Sequence, residues 1–508
     1  MNSGKKTMLK NNLDLLHKIL LKLTAWVEER TKLRPRQKLK LLQREVRVST
    51  PLVVTVLTVV FFWIILSETG LEWQRITASV LFIGFLLSFF AFYLYRYSPS
   101  VVANNDQIAL LGLVTVLFVL LMSILNDFPL LSPYLFPAGA AAMLVAILLK
   151  PQLAVIVSLV IALFIALFSS FNFNYFFFSL FSGLVGVVSV VNVRHRRDII
   201  QAGIKISVIN AYLLVVLKLF QGWPNDILLS NLGWAVANGI LSAVIVLIAL
   251  PFLENIFSIT TDIKLLELAD FNQPLLKQLM MTAPGTYHHS LTVSSLAESA
   301  AEAIGANTLL CRVGAYYHDI GKIVNPNYFI ENQRALNIHD NLAPSMSSLI
   351  VVSHIKEGVA MARQHNLDQT IIDFISMHHG TSRIHYFYQR ALEHAGEEKV
   401  DEENFRYPGP RPQTKETAIV MLADACEAAS RTLENPTPCR IGDLVAKIVN
   451  NKFIDRQFDQ CSITLADLHR IAESLTNSLS GIYHARIEYP EEKPAGSPKG
   501  KNDGNSDT

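Results

Sequence analysis

The chain has 508 residues, of which 51% are hydrophobic and 17% are charged, and its net charge is +2. The apolar residues concentrate between 51 and 257, so the composition excludes a purely soluble enzyme and a disordered chain. A net charge near zero gives no reason to expect a nucleic-acid polymer as a partner. Four cysteines without a CxxC pair predict reduced thiols and exclude a disulfide framework.

The first segment, residues 1–50, is basic. It holds thirteen Lys and Arg against four Asp and Glu. It is too long and too charged to be a signal peptide. Two interpretations carry equal weight, a segment lying on an anionic membrane surface and a solvated tail.

Residues 51–253 predict a helical membrane bundle of about eight spans. Each apolar run is close to the ~20 residues that cross a bilayer, and a chain in lipid must satisfy its own backbone hydrogen bonds, so the runs are helices. The runs are 51–67, 76–95, 107–125, 130–149, 152–169, 173–192, 203–221 and 229–252.

Charge in the connections predicts the orientation of the bundle. The connections on one side carry Arg96, Lys150 and the cluster Arg194, Arg196 and Arg197, whereas those on the other side are mainly acidic. Basic loops stay in the cytoplasm, so we expect the N-terminus and the C-terminal half there. Ionisable residues are almost absent from the runs, which favours an anchor or signal-receiving bundle over a transporter.

The C-terminal half predicts an all-helical domain, so the whole chain is expected to be all-α. Residues 254–284 are predicted as a linker or stalk helix, 285–488 as a helix-rich cytoplasmic domain and 489–508 as a disordered tail. Thr260, Thr261 and Asp262 are candidate caps for the stalk helix, and Pro274 and Pro284 would break it. A stalk beneath a bundle is compatible with a homodimer.

Ten of the fourteen histidines fall between residues 288 and 394. They occur with acidic residues in GTYHHS (285–290), YYHDIGK (316–322), VVSHIKEG, MHHGTSR and LADACEA. Of the first pair, His289 is preferred to His288 because it precedes the apolar turns of its helix. The candidate metal ligands are His289, His318, Asp319, His354, His378, His379 and Asp424.

Imidazole nitrogens and carboxylate oxygens suit Fe, Mn, Zn or Co. A carboxylate beside a histidine can bridge two cations, and two metals can share a hydroxide and stabilise an in-line displacement at phosphorus. Seven protein ligands are about right for two metals with open positions. His339, His365, His385 and His394 are interpreted as surface or supporting groups.

The order H…HD…H…HH…D resembles the HD phosphohydrolase superfamily, all-helical metal-dependent phosphodiesterases and phosphatases. The segments APGTYHHS, VGAYYHDIGK, PNYFIENQ and DFISMHHGTSRIHYFYQRA are more narrowly similar to the membrane-bound seven-helix HD proteins of bacteria, of the PgpH type. The resemblance covers residues 51–483. One departure is that such proteins carry a large extracellular domain after the first span, where this chain has only SETGLEWQ.

The resemblance implies hydrolysis of cyclic di-AMP to pApA by a metal-bridged hydroxide. It places His318, Asp319 and Lys322 at catalytic positions and implies two divalent ions, Mn²⁺ or Fe²⁺. One ion would be held by His289, His318, Asp319 and Asp424. The other ion would be held by Asp319, His354, His378 and His379, so Asp319 is shared.

Substrate contacts follow from the same resemblance. Lys322 and Arg383 are candidates for a phosphate oxygen, and Tyr328 and Tyr386 are candidates for stacking on adenine. Two alternatives stay open, an HD hydrolase acting on cyclic di-GMP or (p)ppGpp, and a non-catalytic nucleotide-sensing membrane receptor. HHGTSR follows the histidine pair without the GYP element of proteins that cleave cyclic di-GMP, and a complete ligand set disfavours a binding-only role.

Overall fold

The computed structural model describes residues 72–126, 128, 130–222, 228–333, 337–395 and 400–483. The basic segment 1–50, the first predicted run at 51–67 and the predicted tail 489–508 lie outside the described residues. The chain divides into two compact units, with the boundary between Ile259 and Thr260.

The expected all-α fold is confirmed for the described residues, which contain helices and a single isolated antiparallel bridge between Arg383 and Arg406. In the first unit, α1, α3 and α5–α8 are long and apolar enough to cross a membrane, so the chain is a multi-pass membrane protein. The helices of this unit are α1 (Trp73–Tyr97), α2 (Pro99–Val102), α3 (Asn105–Asn126), α4 (Ala138–Leu148), α5 (Pro151–Phe168), α6 (Phe173–Val190), α7 (Arg196–Phe220) and α8 (Leu228–Phe257).

The fourth predicted run, 130–149, is not one long helix. It consists of a 3₁₀ turn, Pro133–Leu135, followed by the eleven-residue α4, which is shorter than a full crossing. Pro137 precedes α4 and cannot donate a backbone hydrogen bond. The interrupted backbone is satisfied by Asn238 of α8, whose Nδ2 donates to the carbonyl oxygens of Tyr134 and Phe136 at 3.0 and 2.5 Å. A buried side-chain amide thus replaces the missing helical bonds.

The second unit builds its core around α16, where residues 418–423 are fully buried. α11, α12 and α18 pack their apolar residues against α16, so its Asp424 lies inside the unit and not on its surface. The helices of the second unit are α9 (Asp262–Leu268), α10 (Pro274–Thr282), α11 (Pro284–Ile304), α12 (Thr308–Tyr317), α13 (Pro344–Gln364), α14 (Gln369–Met377), α15 (His385–Ala395), α16 (Lys415–Ser430), α17 (Pro438–Ile454) and α18 (Leu465–Ile482).

The predicted stalk, residues 254–284, does not form a separate element. Its first residues end α8, and the remainder belongs to the second unit, which begins at Thr260 and not at 285. Thr261 caps α9. Pro274 and Pro284 are the first residues of α10 and α11, where the backbone N–H that proline lacks would have no partner within the helix. The apolar residues of α9 and α10 pack into a core with α12 and α14. The amphipathic pattern that indicated a stalk is therefore the face of two docking helices.

Gly321 allows the 3₁₀ turn Ile320–Ile323 to approach α13. A Cβ at this position would lie 1.8 Å from the carbonyl oxygen of His354. We expect Gly321→Ala to destabilise the second unit by about 2 kcal/mol or more, because backbone atoms of α13 must move. This corresponds to a fall of roughly 4–8 °C in the melting temperature of the detergent-solubilised protein.

The matched control is Gly481→Ala in α18, where a Cβ meets no atom within 4 Å. Alanine is a better helix former than glycine, so this variant should melt at or slightly above the wild-type temperature. Equal melting of the wild type and Gly321→Ala would contradict the close approach.

Candidate metal centre

The structure brings all seven predicted ligands into one buried cluster in the second unit. α11 contributes His289, and the end of α12 contributes His318 and Asp319. α13 contributes one histidine, the end of α14 contributes the His-His pair, and α16 contributes the second aspartate. Six of the seven are buried, and His379 is half-buried. Residues separated by more than 130 positions in sequence thus meet inside the helical core.

Asp319 lies at the middle of the cluster. Its Oδ1 is 3.5 Å from Nε2 of His354 and 3.6 Å from Nε2 of His378. Its Oδ2 is 3.1 Å from Nε2 of His318 and 3.6 Å from Nε2 of His289. Each oxygen therefore faces a different pair of imidazoles, as a bridging carboxylate would.

Backbone carbonyls orient three of the imidazoles. Nδ1 of His318 donates to the carbonyl of Ala315 at 2.7 Å, and Nδ1 of His354 donates to that of Val351 at 2.5 Å. His378 does the same with carbonyls of the preceding turn. A proton held on Nδ1 leaves the Nε2 lone pair free to point into the cluster, which is the form that binds a metal. Burial supports the neutral form, because it lowers the pKa of His378 to about 3 and also lowers the pKa of His354.

A carboxylate orients the fourth imidazole. Nε2 of His289 lies 3.0 Å from Oδ1 of Asp424, and its Nδ1 lies 2.6 Å from Oε2 of Glu427. Burial disfavours the charged form of His289, but these two carboxylates outweigh it and raise the pKa to about 10. A cation between His289 and Asp424 would take the place of the second proton. Glu427 is held in turn by an ion pair with Arg431.

The donor set fits divalent transition metals. Ligand atoms lie within 4.8 Å of one another in three groups: His354, His378 and His379; His289, His318 and Asp424; and His318, Asp319 and His378. In addition, Nε2 of His318 and Oδ1 of Asp319 are buried without a hydrogen-bond partner. Buried polar atoms are normally satisfied, and metal coordination would satisfy both. Nitrogen and oxygen donors of this kind suit Fe, Mn, Zn or Co.

Lys322 has a carboxylate on each side. Its Nζ lies 2.8 Å from Oδ2 of Asp319 and 2.9 Å from Oε1 of Glu331. Burial would lower the pKa of Lys322, but these two charges raise it above its usual range. The arrangement holds Asp319 in position and leaves little of the ammonium charge for a phosphate.

The other predicted substrate residues are engaged outside this cluster. Tyr328 is half-buried with its ring 5.8 Å from that of His339. Arg383 pairs with Glu402 at 3.1 Å, and Tyr386 is 57% exposed. Their proposed contacts with substrate stay predictions.

The remaining histidines divide by exposure. His288, which was not preferred as a ligand, is exposed, as are His365, His385 and His394. His339 is buried, with its Nε2 2.8 Å from the carbonyl oxygen of Tyr328.

Sequence reasoning missed two residues at the cluster. Glu427 carries a detectable signal, because Asp-x-x-Glu places both carboxylates of α16 on one helical face. Tyr407 lies in the connection between α15 and α16, and its ring stacks on that of His379 at 4.2 Å with an angle of 25°. Its signal is the short sequence FRYPGP, which is unusually aromatic and rigid for a solvated loop.

Comparisons with known proteins match both halves of the chain. The family described as a 7TM receptor with intracellular HD hydrolase matches residues 73–261, and the HD domain family matches residues 286–429. Cyclic-di-AMP phosphodiesterase PgpH of Bacillus subtilis is 37% identical over 82% of this chain and 60% of its own length. The protein of the same name from Listeria monocytogenes is 39% identical over 71% of this chain and 51% of its own length. This chain thus spans only about half to three fifths of these relatives.

A crystal structure of the L. monocytogenes PgpH HD domain in complex with cyclic di-AMP is 46% identical, covering 42% of this chain and 100% of that one, with a TM-score of 0.41. Helical spans followed by a buried H…HD…H…HH…D cluster define an HD-type membrane protein. The chain belongs to the family of seven-transmembrane proteins with an intracellular HD hydrolase domain.

Glu427→Gln tests the support of His289. Glutamine keeps the size of the side chain but removes the negative charge that makes Glu427 a strong acceptor for the Nδ1–H of His289, so we expect metal affinity to fall about 10-fold to 100-fold. The loss should appear as lower metal content after dialysis against a chelator series, measured by mass spectrometry. Glu393→Gln, at an exposed position of α15, is the matched control and should keep wild-type metal content. Unchanged content in both variants would contradict a role for Glu427.

Proposed function

We propose that this protein is a metal-dependent phosphodiesterase that hydrolyses cyclic di-AMP to pApA. The observation that carries the proposal is the buried cluster around Asp319, with two unpartnered polar atoms facing a nitrogen and oxygen donor set. The substrate is taken from the two relatives named as cyclic-di-AMP phosphodiesterases. This chain spans only part of the length of those relatives, so the same substrate is proposed for it.

Two ions are proposed, Mn²⁺ or Fe²⁺, held by the two ligand sets that share Asp319. When bound, they would supply a shared hydroxide for attack at phosphorus and stabilise charge on the non-bridging oxygens. The residues of this chain hold that arrangement. Asp319 spans the two sets, Glu427 and backbone carbonyls fix the imidazoles, and Lys322 keeps Asp319 ionised and oriented.

The membrane half supports an anchoring role. We propose a multi-pass protein of the bacterial inner membrane with both termini in the cytoplasm, supported by the basic connections that contain Arg194, Arg196 and Arg197. This orientation gives the second unit access to a cytoplasmic nucleotide. A homodimer in the bilayer is part of the same proposal.

The alternatives differ in substrate or in turnover. Cyclic di-GMP or (p)ppGpp would use the same metal cluster, because the cluster recognises the phosphate and not the base. A non-catalytic receptor would bind nucleotide without hydrolysis. Offering each nucleotide separately to the metal-loaded protein, with products resolved by chromatography, distinguishes the three.

The test uses the full chain in detergent, loaded with Mn²⁺ or, anaerobically, with Fe²⁺. We expect pApA from cyclic di-AMP and little product from cyclic di-GMP. Asp319→Ala should reduce turnover by about 10³-fold or more, because it removes the carboxylate shared by both metals.

Asp443→Asn, an exposed carboxylate of α17, is the control and should turn over like the wild type. Wild-type turnover by Asp319→Ala would overturn the assignment of the site. Hydrolysis of another nucleotide in preference would overturn the substrate, and tight binding without product would favour the receptor.

A further inference from the structure

Residues 400–412, here called the strap, cross the turn that follows the His-His pair. The backbone N–H of Ile384 donates to the carbonyl of Phe405 at 2.7 Å, and that of Tyr407 donates to the carbonyl of Ser382 at 3.0 Å. Phe405 is buried and anchors the segment. The strap is therefore held in register with the turn that directly follows His378 and His379, two of the candidate metal ligands.

Ion pairs fix the middle of the strap. The guanidinium of Arg406 lies 2.6 Å from Glu402 and 3.0 Å from Asp455, and it also donates to the carbonyl of Thr381 at 2.8 Å. Planar, multiply bonded arginine contacts of this kind restrict orientation strongly. Because Arg406 is held in this way, the backbone of the next residue, Tyr407, is fixed, and its side chain extends in a defined direction.

That direction is toward the metal cluster. The ring of Tyr407 stacks on His379 at 4.2 Å and lies edge-on to His354 at 6.4 Å. Burial raises the pKa of the Tyr407 phenol; Lys322 opposes this rise, and Asp424 and Asp319 add to it. A phenol keeps its proton at neutral pH, so the hydroxyl of Tyr407 is a donor.

The hydroxyl of Tyr407 has no hydrogen-bond partner in the part of the chain that the structure describes. By contrast Tyr317, in the same unit, donates its hydroxyl to the carbonyl of Leu268 at 2.9 Å. Tyr407 is only half-buried, so its hydroxyl does not require a partner within the protein and can reach a ligand. A fixed tyrosine whose hydroxyl bonds none of the described residues is suited to bonding a ligand.

A phosphate held at the cluster would gain from such a donor. Lys322, the cation expected to contact phosphate, is shared between Asp319 and Glu331. His379 covers one face of the Tyr407 ring. The hydroxyl is the polar group that the Tyr407 side chain offers to a ligand. A phenol O–H donates well to a charged phosphate oxygen.

We propose that Tyr407 is a substrate-contacting residue whose hydroxyl donates a hydrogen bond to a non-bridging oxygen of the phosphate held at the metal cluster. The inference rests on the proposed function only in taking a phosphate ester as the ligand. It does not depend on which nucleotide carries that phosphate.

The test is Tyr407→Phe in the full chain, which keeps the stacked ring and removes only the hydroxyl. The Mn²⁺-loaded protein is titrated with inorganic phosphate by calorimetry. We expect about a tenfold to hundredfold weaker phosphate affinity, the usual effect of one hydrogen bond to a charged group, with metal content and melting temperature unchanged. Where the wild type turns over cyclic di-AMP, kcat/KM should fall by a similar factor.

Tyr483→Phe is the matched control, because it removes a hydroxyl that bonds Ser430 at 3.1 Å. It should leave phosphate affinity unchanged. Unchanged affinity in Tyr407→Phe, or loss of metal from that variant, would overturn the proposal. Weaker phosphate binding in a protein that hydrolyses no cyclic di-AMP would uphold the role of Tyr407 and reject the proposed substrate, so the two failures are distinguishable.

Discussion

The burial of the Asp319 carboxylate among four imidazoles is the constraint on which the second unit depends. An ionised carboxylate inside a helical core is costly unless charges and hydrogen bonds compensate it. Lys322 supplies one compensating charge directly. Burial would raise the pKa of Asp319, but the adjacent His318 and Lys322 outweigh this effect and hold the pKa well below its usual range. The helices that deliver these side chains must therefore meet at one point, and this fixes the ends of α12 and α14 as well as the face of α16.

The residues of the cluster could be predicted as candidate metal ligands because most of them lie in short motifs that are visible in the sequence. HD, HH and the isolated His354 point to a metal only together, and the helical core brings them together. Glu427 was missed although Asp-x-x-Glu was visible, because one carboxylate on a helix normally faces solvent. Tyr407 was missed for a different reason. Its position depends on the strap pairing with residues 382–384, a contact that no local pattern encodes.

The fold shows the same division between local and distant information. Apolar runs of the right length predicted the membrane helices, since helices need no partner to satisfy their backbone in lipid. The fourth run differs because Pro137 and the turn before it depend on Asn238, about a hundred residues away. Similarly, α9 and α10 have the amphipathic pattern of a stalk, and only the complementary surface of α12 and α14 shows that they dock.

Charge balance links the cluster to its ligand. Four carboxylates converge there, Asp319, Asp424, Glu427 and Glu331, whereas the protein cations in contact with them are Lys322 and Arg431. With neutral imidazoles, this leaves two excess negative charges, which two divalent ions would convert to two excess positive charges. A hydroxide and a phosphodiester, each with one negative charge, would neutralise the site. With the two ions proposed above, a further cation would overcompensate this charge, so a neutral donor such as the phenol of Tyr407 suits the orientation of the phosphate.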